Sequence, residues 1–305
     1  MAVLIAECII FTVNTNKFAS VENFLNVLRQ ISMTGIVSVG SAFVMISGGI
    51  DLSVGSIVAM SLISTSFMLI AGVPPVIACI LAILLAIAIG AINGLLVAHF
   101  KIPPLIATLG MQTVVRGIVY IMTNATPVFG FPDSFRVLGQ GYAFVYIPIP
   151  VLILAAVIIV AWIYINKTTL GRYTYAVGGN EEVARLSGIG VKKVKYITYM
   201  ICSFCCGLAG VILLSRLNSG QPRAGLGYEM DAITAVVLGG VSVSGGKGRL
   251  SGVLIGVMIM GILSNGMIMM GINEYWQLLL RGLVLLVAVG FDIMAGTRKA
   301  KIVLE

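Results

Sequence analysis

Charge is the scarcest commodity in this sequence. Of 305 residues only 10% are Asp, Glu, Lys or Arg, against about 25% in a typical soluble domain, while 59% are hydrophobic. So few polar side chains cannot form a rind around a water-soluble globule of this size, and that class is excluded. The shortage is also concentrated. No charged residue occurs over 52–100, nor over 30–50, 137–166, 196–215 or 250–273. About 20 apolar residues cross the hydrocarbon core of a bilayer. The fold class is therefore all-α: a polytopic transmembrane helical bundle.

Other absences narrow the function. There is one histidine, His99, so a His-rich metal site is excluded. With so few carboxylates inside the apolar stretches, no convergent catalytic set can be assembled. Asp51, Asp231 and Asp292 fall near predicted helix ends, not in the chain of buried acids that proton-coupled carriers use. Three of the five cysteines, Cys202, Cys205 and Cys206, share one apolar segment, with Cys8 and Cys79 apart. Their Cys-x-x-Cys spacing admits a metal or redox site, but small, polarizable packing residues are the preferred reading, and no metal is expected. A Gly-x-x-x-x-Gly-Lys-Ser/Thr loop is missing. The closest string, Ser244-Gly245-Gly246-Lys247-Gly248, lacks the upstream glycine spacing and the hydroxyl that holds magnesium, so the chain itself does not hydrolyse ATP. Residues 1–13 lack the basic leader and cleavage site of a signal peptide. They are short for a crossing, as if the sequence starts inside its first helix, natively or by truncation.

What is present is a series of about ten predicted helices, at 1–13, 31–49, 53–71, 75–100, 104–123, 147–165, 196–215, 231–244, 250–271 and 277–294. The stretch 231–244 is short enough to be a half-helix buried by its neighbours. The net charge of +8 does not point to nucleic acid, because the basic residues sit in short loops between apolar segments. Lys167, Arg172, Arg185, Lys192, Lys193 and Lys195 lie in 166–195, Lys247 and Arg249 in a second loop, and Arg298, Lys299 and Lys301 in the tail. Ten crossings place all three groups on the cytoplasmic side, with both termini inside. The outer segments are then 14–30, 124–146, 216–230 and 272–276, with 21–28 a candidate amphipathic surface helix.

Two internal matches hint at duplication. Gly48-Gly49-Ile50-x-Leu52-Ser53-x-Gly55 is similar to Gly239-Gly240-Val241-x-Val243-Ser244-x-Gly246, 191 residues apart. Gln112-x-x-x-Arg116-Gly117-Ile118-Val119 is similar to Gln277-x-x-x-Arg281-Gly282-Leu283-Val284, 165 residues apart. One helix inserted in the first half accounts for the difference. Small-residue spacings at Gly90-x-x-x-Gly94 and Gly252-x-x-x-Gly256 favour close helix packing.

Within the long basic loop, Gly179-Asn180-Glu181-Glu182-Val183-Ala184-Arg185-Leu186-Ser187-Gly188 reads as a two-turn helix. Asn180 is its N-cap, Glu181 and Glu182 oppose its positive end, and Gly188 takes the left-handed position beyond its last turn. It is either a docking element for a cytoplasmic partner or a solvated connector. Arg116 and Arg281 fall inside predicted spans, where an unpaired guanidinium is costly. Arg116 is too deep for easy snorkelling and is expected to find a structural or pathway partner inside the bundle. Asp51, Asn93, Arg116, Asp231 and Arg281 are the pathway candidates by polarity and position.

Three blocks carry a family resemblance. Ser47-Gly48-Gly49-Ile50-Asp51-Leu52-Ser53-Val54-Gly55-Ser56 resembles the signature of the ribose/galactoside-type permeases of ABC importers. So do Leu170-Gly171-Arg172-Tyr173 through Gly178-Gly179-Asn180 to Leu186-Ser187-Gly188-Ile189. The third block runs from Gln221-Pro222 through Gly227-Tyr228-Glu229-Met230-Asp231 to Gly245-Gly246-Lys247-Gly248. The likeness extends over about 18–292 and is closest to ribose permeases at 216–222 and 120–128. It implies one permease domain over 1–305, with 166–195 as its coupling loop, in a bacterial inner membrane. It also implies a second permease copy, an ABC ATPase subunit that binds the ATP and magnesium, an extracytoplasmic sugar-binding protein and surrounding membrane lipid. The helix at 179–188 becomes the ATPase-coupling helix. Arg136, Arg216, Arg223 and Tyr228 become the binding-protein docking surface, and ribose the first sugar to test.

Overall fold

The computed structural model describes the backbone of residues 2–143 and 146–304, and the side chains of 3–143 and 146–294. The tail cations Arg298, Lys299 and Lys301 therefore lie outside the described side chains. The helices run α1 Ala2–Asn14, α2 Val21–Ile46, α3 Val54–Ile70, α4 Pro75–Ala98, α5 Pro104–Thr123, α6 Val137–Gln140 and α7 Ile149–Lys167. Then follow α8 Thr169–Gly179, α9 Glu181–Leu186, α10 Val191–Leu217, α11 Tyr228–Leu238, α12 Leu250–Met269 and α13 Glu274–Leu304. A small antiparallel hairpin pairs Tyr142 with Pro148 and Ala143 with Ile147. Among the described residues, seven helices are long and apolar enough to cross a membrane: α2, α4, α5, α7, α10, α12 and the 274–294 part of α13. With α1, α3 and α11 they make the expected bundle of ten.

Local chemistry sets the boundaries. Ser20 caps α2 by accepting from the Asn23 amide, and Pro75 and Pro104 stand in the first turns of α4 and α5, where a missing N–H costs nothing. Two expected boundaries were wrong. Residues 21–28 are not a separate surface helix but the first turns of α2, held inward by Asn23, which exchanges two 3.0 Å hydrogen bonds with Asn265 of α12. The stretch 231–244 is helical only as α11, 11 residues long. At 1.5 Å per residue that is about 16 Å, half of a ~30 Å hydrocarbon core.

The bundle is built from two halves of opposite sense. α2 and α10 lie antiparallel at its centre. Ser47 meets Thr198 at 3.3 Å near one end, and Arg216 reaches Met33 near the other. α3 packs on α10, α4 and α5, while α11 packs on α2, α12 and α13. Exchanging α2–α5 with α10–α13 thus preserves the packing, with α2 and α10 trading places. Arg116 on α5 and Arg281 on α13 are counterparts in this repeat. The Gly48 and Gly239 strings are not: both are turns that end a helix, with Gly48 and Gly240 at φ +81° and +80°, and their likeness is that of two C-caps.

Close approach is supplied by glycine. A Cβ on Gly90 would strike Ser203, and one on Gly207 would sit 2.7 Å from the Ala86 Cβ, so α4 and α10 touch backbone to backbone. Cβ atoms on Gly252 and Gly256 would strike the carbonyls of Gly239 and Ala235, as α12 does with α11. Both small-residue spacings therefore serve packing. The turns 47–53, 168–190 and 239–249 converge on one face. There the Gly246 N–H donates to the Ile46 carbonyl at 2.9 Å and the Tyr175 hydroxyl to that of Gly248 at 2.9 Å. That face carries the described basic loop residues. The segments 15–20, 124–143, 146–148 and 218–220 share the opposite face, with Val128 and Gly220 tied by a bridge.

Candidate functional site

On the basic face, α8 and α9 form a bent two-helix element. Thr168 caps α8 by accepting from the Gly171 N–H at 3.1 Å. Asn180 ends α8 and starts α9, its Oδ1 accepting from the Val183 N–H at 3.0 Å. Gly188, at φ +80°, closes α9 as its spacing predicted, with the Ile189 N–H donating to the Ala184 carbonyl. One residue of α9, Ala184, is buried, against Val177, Val191 and Val194. Glu181 bonds Lys195 of α10 at 2.5 Å, and Glu182 pairs with Arg185. Val183, Leu186 and Ser187 face outward, with Leu186 78% exposed. An uncovered leucine on a capped, six-residue helix at an aqueous face is a knob without a hole. Beside it, Lys101, Pro103, Glu181, Arg185, Lys192 and Lys195 line a cavity of about 600 Å³.

The element is joined to the bundle by glycines. A Cβ on Gly178 would overlap the Ile46 carbonyl and lie 2.6 Å from the Gly246 nitrogen. One on Gly245 would lie 2.8 Å from the Gly48 Cα. The end of α8 thus touches the end of α2 and the 242–249 loop with nothing between. Tyr175 adds its bond to Gly248, and burial raises its phenol above the usual value, so it stays a donor.

Directly inside this contact lies the turn of Asp51. Its Oδ1 accepts from the Ser53 N–H at 2.9 Å and hydroxyl at 2.5 Å. Asn93 of α4 donates to the Ser53 oxygen at 2.8 Å, and Thr108 of α5 accepts from the Leu52 N–H. Asp51 and Asn93 are both buried and belong to one cluster that shapes the start of α3.

Further in, the two half-repeats meet. Gly55 and Gly225 touch so closely that a Cβ on either would overlap the other's carbonyl. Arg116 clamps the junction, donating to the carbonyls of Pro222 at 2.8 Å, Ala224 at 2.9 Å and Gly55 at 3.0 Å. Gln112, one turn earlier, donates to Glu229 at 3.3 Å. On the far side of α11, Arg281 pairs with Asp231 at 3.2 Å and donates to Ser264 at 2.7 Å. Arg116 and Arg281 thus flank the entry to α11, whereas Asp51 and Asn93 sit apart at the entry to α3. Ser53, Thr108, Gln112 and Glu229 complete these clusters. Their bonds to other elements reach 40 residues or more along the chain, so no local pattern marks them.

A family described as "Branched-chain amino acid transport system / permease component" matches over residues 23–289. The chain belongs to that permease family. Its permease core includes both arginine clamps and the α8–α9 element. The ribose import permease protein RbsC of Bacillus subtilis is 45% identical over 286 residues, 93% of this chain and 88% of that protein. RbsC of Escherichia coli is 43% identical over 296 residues, 96% and 92% of the two chains. The L-arabinose transport system permease protein AraH of E. coli is 40% identical over 299 residues, 95% and 88%. No solved structure matches this permease. It is a multi-pass membrane protein and a transport subunit, not an enzyme.

On the face opposite α8 and α9, Arg136 is exposed beside Asp133 at 3.1 Å. The Gly139 N–H donates to Ser215 and Gln140 to the Arg216 carbonyl, which brings Arg136 and Arg216 to one side. Arg223 is exposed, while Arg216 and Tyr228 are half-buried.

Proposed function

We propose that this chain is the membrane-spanning permease of an ATP-binding cassette importer that carries a monosaccharide, with D-ribose the first candidate. The observation that carries the reading is the near full-length likeness, at 43–45% identity, to ribose import permeases of two distant bacteria. The basic face is cytoplasmic, as Lys and Arg in short loops direct, and the chain resides in the inner membrane with both termini inside. The α9 knob fits a partner ATPase, which binds ATP and magnesium. Arg136, Arg216, Arg223 and Tyr228 receive a sugar-binding protein on the outer face. Two permease copies form the pathway.

In this reading, movement of α9 reaches the bundle through Gly178. The turns at Asp51 and Asn93, and the clamps of Arg116 on 222–224 and Arg281 on Asp231, set the entries to α3 and α11. Those two short helices start inside the bundle, near the contact of Gly55 with Gly225, and are the elements that re-aim between states. No covalent step acts on the sugar.

The test is uptake of radiolabelled ribose into proteoliposomes holding this chain with its ATPase and binding protein. Uptake that requires ATP and both partners is expected. Equal uptake by this chain alone would identify a stand-alone carrier or channel, and uptake of arabinose but not ribose would reassign the sugar.

A further inference from the structure

α7 leans on α2 but stands away from α10, leaving an open cleft of about 620 Å³ on the flank of the bundle. Val39 and Phe43 of α2 form its floor, Val157 and Val160 of α7 one wall, and Ile201 and Phe204 of α10 the other. The lining is almost wholly apolar. It runs from Ile153 to Tyr164 along the middle of α7, a rise of about 16 Å through the centre of a ~30 Å hydrocarbon core. The Tyr164 end of the opening faces the basic face.

At that opening the walls become cationic. Lys167 lies three residues beyond Tyr164 on α7, and Lys193 four residues before Ile197 on α10, so each continues the stripe of side chains that lines the cleft. Lys167 rests its ammonium 5.6 Å from the Trp162 ring centre, an aromatic anchor at headgroup level. Both lysines are exposed. The nearby acids of α9 are already engaged by Lys195 and Arg185.

We infer that this cleft is a binding site for one anionic phospholipid of the basic-face leaflet, with an acyl chain between α7 and α10 and its phosphate held by Lys167 and Lys193. Hydrocarbon suits the walls, the length suits one extended acyl chain, and two unpaired cations suit a negative headgroup.

Native mass spectrometry of the assembled transporter, released from lipid nanodiscs, tests it. The expected result is one retained phospholipid per copy, with phosphatidylglycerol preferred over phosphatidylcholine. Ala156→Trp, which places an indole in the cleft, should remove it; Ile159→Trp, on the outward side of the same helix, should not. Lys167→Gln with Lys193→Gln should lower the preference for phosphatidylglycerol by about tenfold or more, at roughly fivefold per cation. Titrating delipidated wild type with phosphatidylglycerol reads the site without any variant having to fold. Absence of stoichiometric rebinding there overturns the inference, as does retention of lipid by Ala156→Trp or equal binding of both lipids. Dissociation of the assembly by Ala156→Trp with lipid retained would make the cleft a contact between copies, and overturns it too.

Discussion

Arg116 occupies a site where a hydrocarbon-buried cation has no carboxylate in direct contact, only three carbonyl oxygens. Two of those carbonyls, of Pro222 and Ala224, belong to a segment between helices and have no intrahelical partners to fall back on, and the planar fork satisfies them together with that of Gly55. A lysine offers one compact ammonium and cannot span them. With charged hydrogen bonds at about 1.5–3 kcal/mol each, Arg116→Lys is expected to cost about 3 kcal/mol, read as a lowered Tm in detergent micelles. An unchanged Tm would mean that water replaces the clamp. The reciprocal amides of Asn23 and Asn265 make a second residue-scale case. A double-mutant cycle with leucine at both positions should give a coupling of about 0.6–1.7 kcal/mol, the range for hydrogen bonds between membrane helices. A value near zero would leave the long α2 without its outer tie.

At the scale of elements, legibility tracked whether the determining chemistry was local. α9 was readable because its cap, acidic first turn and closing glycine all lie within ten residues of sequence. The long apolar helices were readable because a bilayer selects on length. α11 was legible as a short half-helix but not in its bounds, because its start depends on the Arg116 clamp and the contact at Gly55, which no local pattern records. The two Gly-Gly strings misled for the converse reason: two unrelated C-caps use the same local solution. The α9 knob gives the prediction proper to this scale. Leu186 is 78% exposed, so Leu186→Ser removes no packing and should leave Tm unchanged. If α9 is the ATPase contact, a central apolar anchor is lost, and association should weaken about tenfold or more. Replacing 181–188 by a flexible Gly/Ser stretch should abolish it while membrane insertion persists. Full ATPase binding by either variant would remove α9 from the interface.

At the scale of the whole molecule, an inverted repeat brings two broken segments, 47–53 and 218–227, to a common junction at Gly55 and Gly225. The basic-face element reaches that junction through one contact chain: α8 to the end of α2, then the Asp51 turn, then the first turn of α3. Adjacent glycines separate structural occupancy from transmission in this chain. Gly178 has no room for a Cβ, which would overlap the Ile46 carbonyl, whereas Gly179 faces open space. Gly178→Ala should therefore displace α8 from α2, and Gly179→Ala should be silent. Because α9 and its knob are untouched, the Gly178 variant should still bind the ATPase and support ATP turnover in the reconstituted assembly, while ribose uptake falls about tenfold or more. Equal uptake by both variants would show that force from α9 travels by another route, through Lys195 and α10. Loss of ATPase binding in the Gly178 variant would show instead that the contact positions α9 and transmits nothing.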